Sequence, residues 1–244
     1  ATNKLVFLLY AYKDADGTIF NRISSFRLTE KRGRLKATQP KLIYQANVPG
    51  NVSHQITDGL GVTVNDQLHL LVLIGEGFKG EMAQDPSVHA GKLMLIPESG
   101  TNPQVKALGI RNAYVIAPNP LDDHHRFFIA DTGPDKYDRI IYTDLLTDQL
   151  LNFNWDGTTQ SLLQPLPDPI FPQVKDMVIL RLPETRTFTG LAIHPPTHTV
   201  LATVMGQTGS TLNTPGKEIW QGQLTNLESQ PQLKFSPLIV RHPD

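Results

Sequence analysis

Gly59-Leu60-Gly61-Val62-Thr63-Val64-Asn65-Asp66 returns later in the chain as Gly190-Leu191-Ala192-Ile193-His194-Pro195-Pro196-Thr197. Each copy is a glycine-led apolar strand that runs into a turn of Asn, Asp or Pro. Tyr114-Val115-Ile116-Ala117-Pro118-Asn119-Pro120 is a looser third copy. The segments downstream of each copy repeat too. A second apolar strand ends near glycine in each unit (residues 70–75, 127–133 and 200–206), then comes a third (91–96, 138–143 and 217–224), then a fourth. Four strands per unit, at roughly 45–60 residues, is the signature of a β-propeller blade.

Working outward, short β-branched or aromatic runs recur along the whole chain, each bounded by Gly, Pro, Asn or Asp. They predict strands at 5–12, 22–28, 41–46, 59–64, 69–74, 92–96, 105–108, 113–117, 126–130, 139–143, 150–153, 177–182, 189–193, 200–204, 218–224 and 233–240. Almost no segment holds a period of 3.6, so the fold class is all-β. The N-terminal segment fits the blade template with its first strand absent: 5–12 is strand two, 21–28 strand three and 41–46 strand four. Residues 158–187 read as a Pro-rich excursion carrying one extra strand. The expectation is a single propeller domain over 1–244, with about four blades of four antiparallel strands. Blades are expected to be missing at the N-terminus and at the C-terminus.

Composition narrows the function. A formal net charge of -1 argues against a dedicated nucleic-acid binder. No run approaches the roughly 18 apolar residues of a membrane span. Without cysteine there is neither a disulfide framework nor a thiolate metal site.

Seven short motifs, in order, carry a resemblance. Leu8-Leu9-Tyr10-Ala11-Tyr12 with Asn21-Arg22-Ile23-Ser24-Ser25-Phe26 comes first, then Ser53-His54-Gln55 with Gly59-Leu60, then Leu73-Ile74-Gly75-Glu76. Ala83-Gln84-Asp85-Pro86 with Gly91-Lys92-Leu93 comes next, then Gly109-Ile110-Arg111-Asn112, Ala130-Asp131-Thr132-Gly133-Pro134 and Asn152-Phe153-Asn154-Trp155. Over about residues 5 to 157 the chain resembles the glucose/sorbosone dehydrogenase family, six-bladed propellers that use pyrroloquinoline quinone (PQQ). The resemblance implies oxidation of a small-molecule sugar by hydride transfer to that quinone, in a periplasmic or secreted protein. It makes His54 the base for the hydroxyl proton, a task suited to a near-neutral imidazole. Arg111 and Asn112 would bind the cofactor's oxygens through a planar fork and an amide. Gly133 and Pro134 would offer backbone carbonyls to calcium, with a nearby acid. Four features depart from the family pattern, one of them Lys136, which stands in the acidic loop where extra carboxylates would favour calcium. Gln55 to Asp58 lengthen the spacing after His54, Glu76 replaces an Asp, and Met94 replaces an Arg.

Other histidines read more plainly. His124-His125 lie at a polar hairpin tip, since neighbours on a strand face opposite ways, and His194 and His198 flank two prolines in a turn. Two functions stay open: a PQQ-dependent sugar dehydrogenase, or a non-catalytic binding or scaffold propeller of the same superfamily that has lost the cofactor site. A calcium-dependent lactonase would need a cluster of acids facing the axis, and the sequence offers none.

Overall fold

Apolar runs pair with their neighbours in sequence, and the result is a stack of sheets. The computed structural model describes residues 4–49, 53–120, 126–133, 138–153, 177–184, 186–206, 217–226 and 231–239. In chain order the elements are β1 (Lys4–Lys13), β2 (Ile19–Lys31), β3 (Arg34–Asn47), β4 (Ile56–Val64), β5 (Gln67–Ile74), the short helix α1 (Gly80–Ala83), β6 (Lys92–Pro97), β7 (Gln104–Leu108) and β8 (Ala113–Pro118). They continue with β9 (Arg126–Asp131), β10 (Arg139–Asp144), β11 (Leu151–Asn152), β12 (Val178–Arg181), β13 (Phe188–His194), β14 (Thr199–Val204), β15 (Glu218–Thr225) and β16 (Gln232–Ile239). Blade A is β1-β2-β3, blade B is β4 to β7 with β11 added at its edge, blade C is β8-β9-β10-β12, and blade D is β13 to β16. The protein is an all-β propeller, as the repeat predicts.

The blades stack because their middle strands are apolar on both faces. On β5, Leu70, Val72 and Ile74 enter the core shared with blade A, with Ile23, Ile43 and Tyr44 opposite. Leu71 and Leu73 face the other way, toward Phe127 and Ile129 of blade C. On β9, Phe128 and Ala130 turn from that core into the next, where Phe188, Val200, Ala202 and Trp220 of blade D receive them. A strand buried on both faces is a continuous hydrophobic run, not an alternating one. Each of the Val, Leu, Ile and Phe side chains among them contributes about 1.5–3 kcal/mol by leaving water. Strand β14 is covered on one face only, so its residues alternate between buried and exposed.

The innermost strands show that the units are true repeats. The register slips between Ile56 and Asp58, between Ala113 and Val115, and between Phe188 and Gly190, a bulge at the same place in blades B, C and D. Bulges bend a strand and re-aim side chains at sheet rims. The Asp58 carboxylate beside the first bulge accepts the Ile116 N–H at 2.9 Å, and the Thr57 hydroxyl donates to the Ala113 carbonyl, so blade B is tied to blade C. Thr57 thus serves the inter-blade seam, while Ile56 packs in the A–B core.

Three expectations change. The fourth strand of blade C is not at 150–153. Leu151 and Asn152 pair in parallel with β7 of blade B, and the strand expected inside the Pro-rich excursion closes blade C by pairing with β10. The β2–β3 hairpin is longer than its apolar part and runs to the pair Lys31↔Arg34. Arg32 and Gly33 at its tip both have positive φ (54° and 72°), the requirement of a tight two-residue hairpin turn. His194 and His198 do cap the β13–β14 turn, where His194 Nδ1 lies 2.9 Å from the Thr197 hydroxyl. His124 and His125 fall outside the described residues.

Candidate active site

Two loops meet at the entrance to blade B, and glycine is what lets them meet. The segment before β4 carries His54 at φ 55°, and the segment after β5 runs Gly75-Glu76-Gly77-Phe78 into α1. Gly75 N donates to the Gln55 carbonyl and Gly77 N to the His54 carbonyl, each at 3.0 Å. A Cβ on Gly75 would sit 2.5 Å from the His54 carbonyl oxygen, so any other residue would push the two loops apart. Asn21 of β2 closes the far side. Its side chain accepts the Ile56 N–H at 2.6 Å and donates to Gln55 Oε1 at 2.8 Å, and both side chains are buried.

This frame holds His54 against Glu76. His54 Nδ1 lies 3.0 Å from each Glu76 carboxylate oxygen, with the imidazole 8% and the carboxylate 1% exposed. A carboxylate on Nδ1 fixes the ring's orientation and leaves Nε2 as the atom able to take a proton. Among the described residues Nε2 has no hydrogen-bond partner. The Phe78 ring stacks on the imidazole, with centroids 3.8 Å apart and planes 19° apart. The expectation that Glu76 stands in the place of a family Asp gains a physical role: its carboxylate reaches the base directly.

Arg111 and Asn112 are placed by a buried ion pair. Asp131, at the end of β9, accepts the backbone N–H of Asn112 at 2.9 Å and that of Arg111 at 3.2 Å. Its other oxygen meets the Arg139 guanidinium at 2.7 Å, both side chains being 1% exposed. Arg139 also donates to the carbonyls of Gly109 and Phe153. The turn 109–112 is therefore held by groups that are already fully engaged. Glu76 N donates to the Arg111 carbonyl at 3.1 Å, which joins this turn to the His54 frame. Arg111 Nη1 donates to the Thr132 carbonyl at 3.1 Å, but among the described residues its buried Nε has no acceptor. Asn112 donates its side-chain amide to the Tyr114 hydroxyl at 3.1 Å.

Hydrogen bonds from side chains and backbone thus link His54, Glu76, Arg111 and Thr132, and Gly133 is the next residue along. Gly133 N donates to Asp138 at 2.9 Å, and the other Asp138 oxygen accepts the N–H groups of Arg186 and Thr187 at 2.6 Å each. Burial pushes the Asp138 carboxyl above the ordinary range, against the opposing pull of those three donors. Pro134, with Asp135, Lys136 and Tyr137, lies outside the described residues. Among the described residues no cluster of three or more His, Asp or Glu is arranged for a metal.

The order of motifs could not reveal the Asp131–Arg139 clamp, which depends on the β9–β10 register, or the Asn21 bracket, which joins residues 34 apart in sequence. Lys92 enters the sequence reading only through the Gly91-Lys92-Leu93 motif. It is fully buried, and its ammonium donates to the carbonyls of Met82, Ala83 and Ala90 while burial pulls its pKa down to about 7. It ties α1 to the start of β6. Met94, where the family has Arg, is fully buried in the A–B core.

Comparisons with known proteins bear on the family and the fold. The family model for glucose/sorbosone dehydrogenase matches residues 1–155. A crystal structure of a glucose dehydrogenase superposes with a TM-score of 0.71 at 17% identity, covering 98% of this chain and 69% of that one. A second glucose dehydrogenase gives 0.69 at 18% identity, covering 97% and 68%. The soluble aldose sugar dehydrogenase of Escherichia coli, in its apo form, gives 0.63 at 17% identity, covering 97% and 79%. At these identities the likeness is one of fold. No curated protein matches the chain in sequence.

Proposed function

The chain belongs to the glucose/sorbosone dehydrogenase family, and from that premise we propose that it oxidises a hydroxyl of a small sugar, with His54 as the base and PQQ as the hydride acceptor. The observation that carries the proposal is the His54–Glu76 pair. A buried carboxylate grips Nδ1 from both oxygens, so Nε2 is left to take the hydroxyl proton, and the imidazolium that results is formed beside its counter-charge. As the proton moves to Nε2, the carbon–hydrogen bond breaks and the hydroxyl carbon becomes a carbonyl. The bound quinone supplies the chemistry of accepting the hydride.

The residues present fit such a group in one respect. Among the described residues the buried Nε of Arg111 lacks an acceptor, and leaving such a donor unpaired costs about 1–3 kcal/mol, which an anionic or quinone oxygen would offset. Asn112 would complete the binding, although its amide now donates to Tyr114. For calcium the proposed ligands are the carbonyls of Gly133 and Pro134. The carboxylates of Asp131 and Asp138 are taken up by backbone N–H groups and Arg139, so the loop offers carbonyl oxygens rather than acids. A periplasmic or secreted location belongs to the same proposal. Among the described residues no helix is long and apolar enough to cross a membrane.

Reconstitution with PQQ and calcium, assayed on a panel of aldoses, tests this. Activity is expected in the wild type, with a loss of roughly 100-fold or more in His54→Ala; activity that survives the substitution refutes His54 as the base. The non-catalytic reading draws on Met94, a buried apolar residue where the family has a cation. It predicts no PQQ uptake in the same experiment.

A further inference from the structure

Phe78 stands in a conformation that its type avoids. Its φ is 64°, and among the described residues it is the one apolar side chain at positive φ outside glycine. A bulky side chain there clashes with its own carbonyl, and the conformation persists only when the surroundings impose it. Burial does not explain the choice, because Phe78 is 55% exposed. A glycine would suit this backbone better, and a polar residue would suit the solvent better.

What Phe78 does have is the His54 ring. The stack is close, at 3.8 Å between centroids, and His54 is itself left-handed at φ 55°. Two strained residues therefore face each other, and the Gly77 N–H to the His54 carbonyl holds their backbones together. Glu76 fixes the direction of the imidazole within its own plane, but two oxygens on one nitrogen leave the ring free to roll about the line from Nδ1 to the carboxylate. A face-on aromatic ring removes that freedom.

We propose that Phe78 is a positioning residue for His54, held in a strained backbone so that its ring sets the plane of the base. The assignment rests on the sugar-dehydrogenase reading only for what the base then does; the clamp itself is a property of the cofactor-free protein. Four variants separate clamp from scaffold: Phe78→Gly, Phe78→Ala, Phe78→Leu and Phe78→Tyr. Melting temperatures report the strain, and Phe78→Gly should melt above Phe78→Ala because glycine accepts φ 64°. Carbethoxylation of His54 by diethyl pyrocarbonate, read by peptide mass spectrometry without cofactor, reports the clamp. It should speed up several-fold in the Gly and Ala variants and stay at the wild-type rate in Phe78→Tyr, with Phe78→Leu in between. In the reconstituted enzyme, kcat should fall roughly 10- to 100-fold in Phe78→Gly with KM for the sugar little changed, and Phe78→Tyr should restore it.

An unchanged His54 modification rate in Phe78→Gly overturns the clamp, whatever the activity. Equal behaviour of the Leu and Tyr variants overturns the aromatic requirement. If the wild type takes up no PQQ yet Phe78→Gly exposes His54, the positioning role stands and the dehydrogenase reading falls.

Discussion

Replacing Asp131 by Ala should damage this protein more than its single position suggests. The carboxylate has three duties: it accepts the backbone N–H groups of Arg111 and Asn112, and it neutralises Arg139. With both side chains of the ion pair 1% exposed, water cannot take over any of them. Removing one partner of a buried pair leaves an uncompensated charge and costs about 3–5 kcal/mol. That is a large share of the roughly 5–15 kcal/mol by which a domain is stable. The second arm is Arg139→Met, which removes the cation and leaves Asp131 its two backbone donors. In the double variant no charge is stranded, so its loss should be smaller than the sum by about 2–3 kcal/mol. Urea unfolding followed by tryptophan fluorescence measures all three, since Trp220 lies in the core between blades C and D. An Asp131→Ala loss below about 1 kcal/mol, or strict additivity in the double variant, would show that the turn at 109–112 does not depend on the pair.

Two further perturbations act on the same frame. Gly75→Ala places a methyl 2.5 Å from the His54 carbonyl oxygen and should cost about 1–3 kcal/mol while raising the reactivity of His54; a variant with wild-type stability and reactivity would refute the tight fit. Lys92, ordinarily near 10.5, is brought down to about 7 by burial, with Asp85 opposing. Below about pH 7 both folded and unfolded chains hold its proton and the burial penalty is complete. Between about 7 and 10.5 the unfolded chain holds more protons, so this residue adds up to about 1.4 kcal/mol of stability per pH unit as pH rises, and Lys92→Met should abolish that slope. A flat profile in the wild type would mean that the three carbonyls keep the ammonium charged.

The blades were legible because their physics is local. A strand covered on both faces reads as an apolar run, and the turn Asn65-Asp66, both residues at positive φ, reads as a hairpin. The outer part of the β2–β3 hairpin was missed because exposed polar strand carries no hydrophobic alternation to read. The edge of blade C was misplaced for a different reason: Val178–Arg181 reaches its partner only after a long intervening stretch, and proximity in sequence pointed to residues 150–153 instead. In the site, His54, Arg111, Asn112 and Gly133 stood out by motif. The groups that orient them did not, because Asp131–Arg139 and Asn21–Gln55 are pairings across strands and blades, and only folding brings such partners into contact.

Strand β1 has a colloidal consequence. Among the described strands it pairs on one side only, with β2, and Val6, Leu8 and Tyr12 lie open on its face. The segment Lys4-Leu5-Val6-Phe7-Leu8-Leu9-Tyr10-Ala11-Tyr12-Lys13 contains neither proline nor an acidic residue, and its only charges sit at the two ends. An edge of that kind templates the addition of further strands, a hazard that natural sheets blunt with inward lysines or prolines. This polypeptide in isolation should self-associate with rising concentration, and a lysine at Leu8 should keep it dispersed.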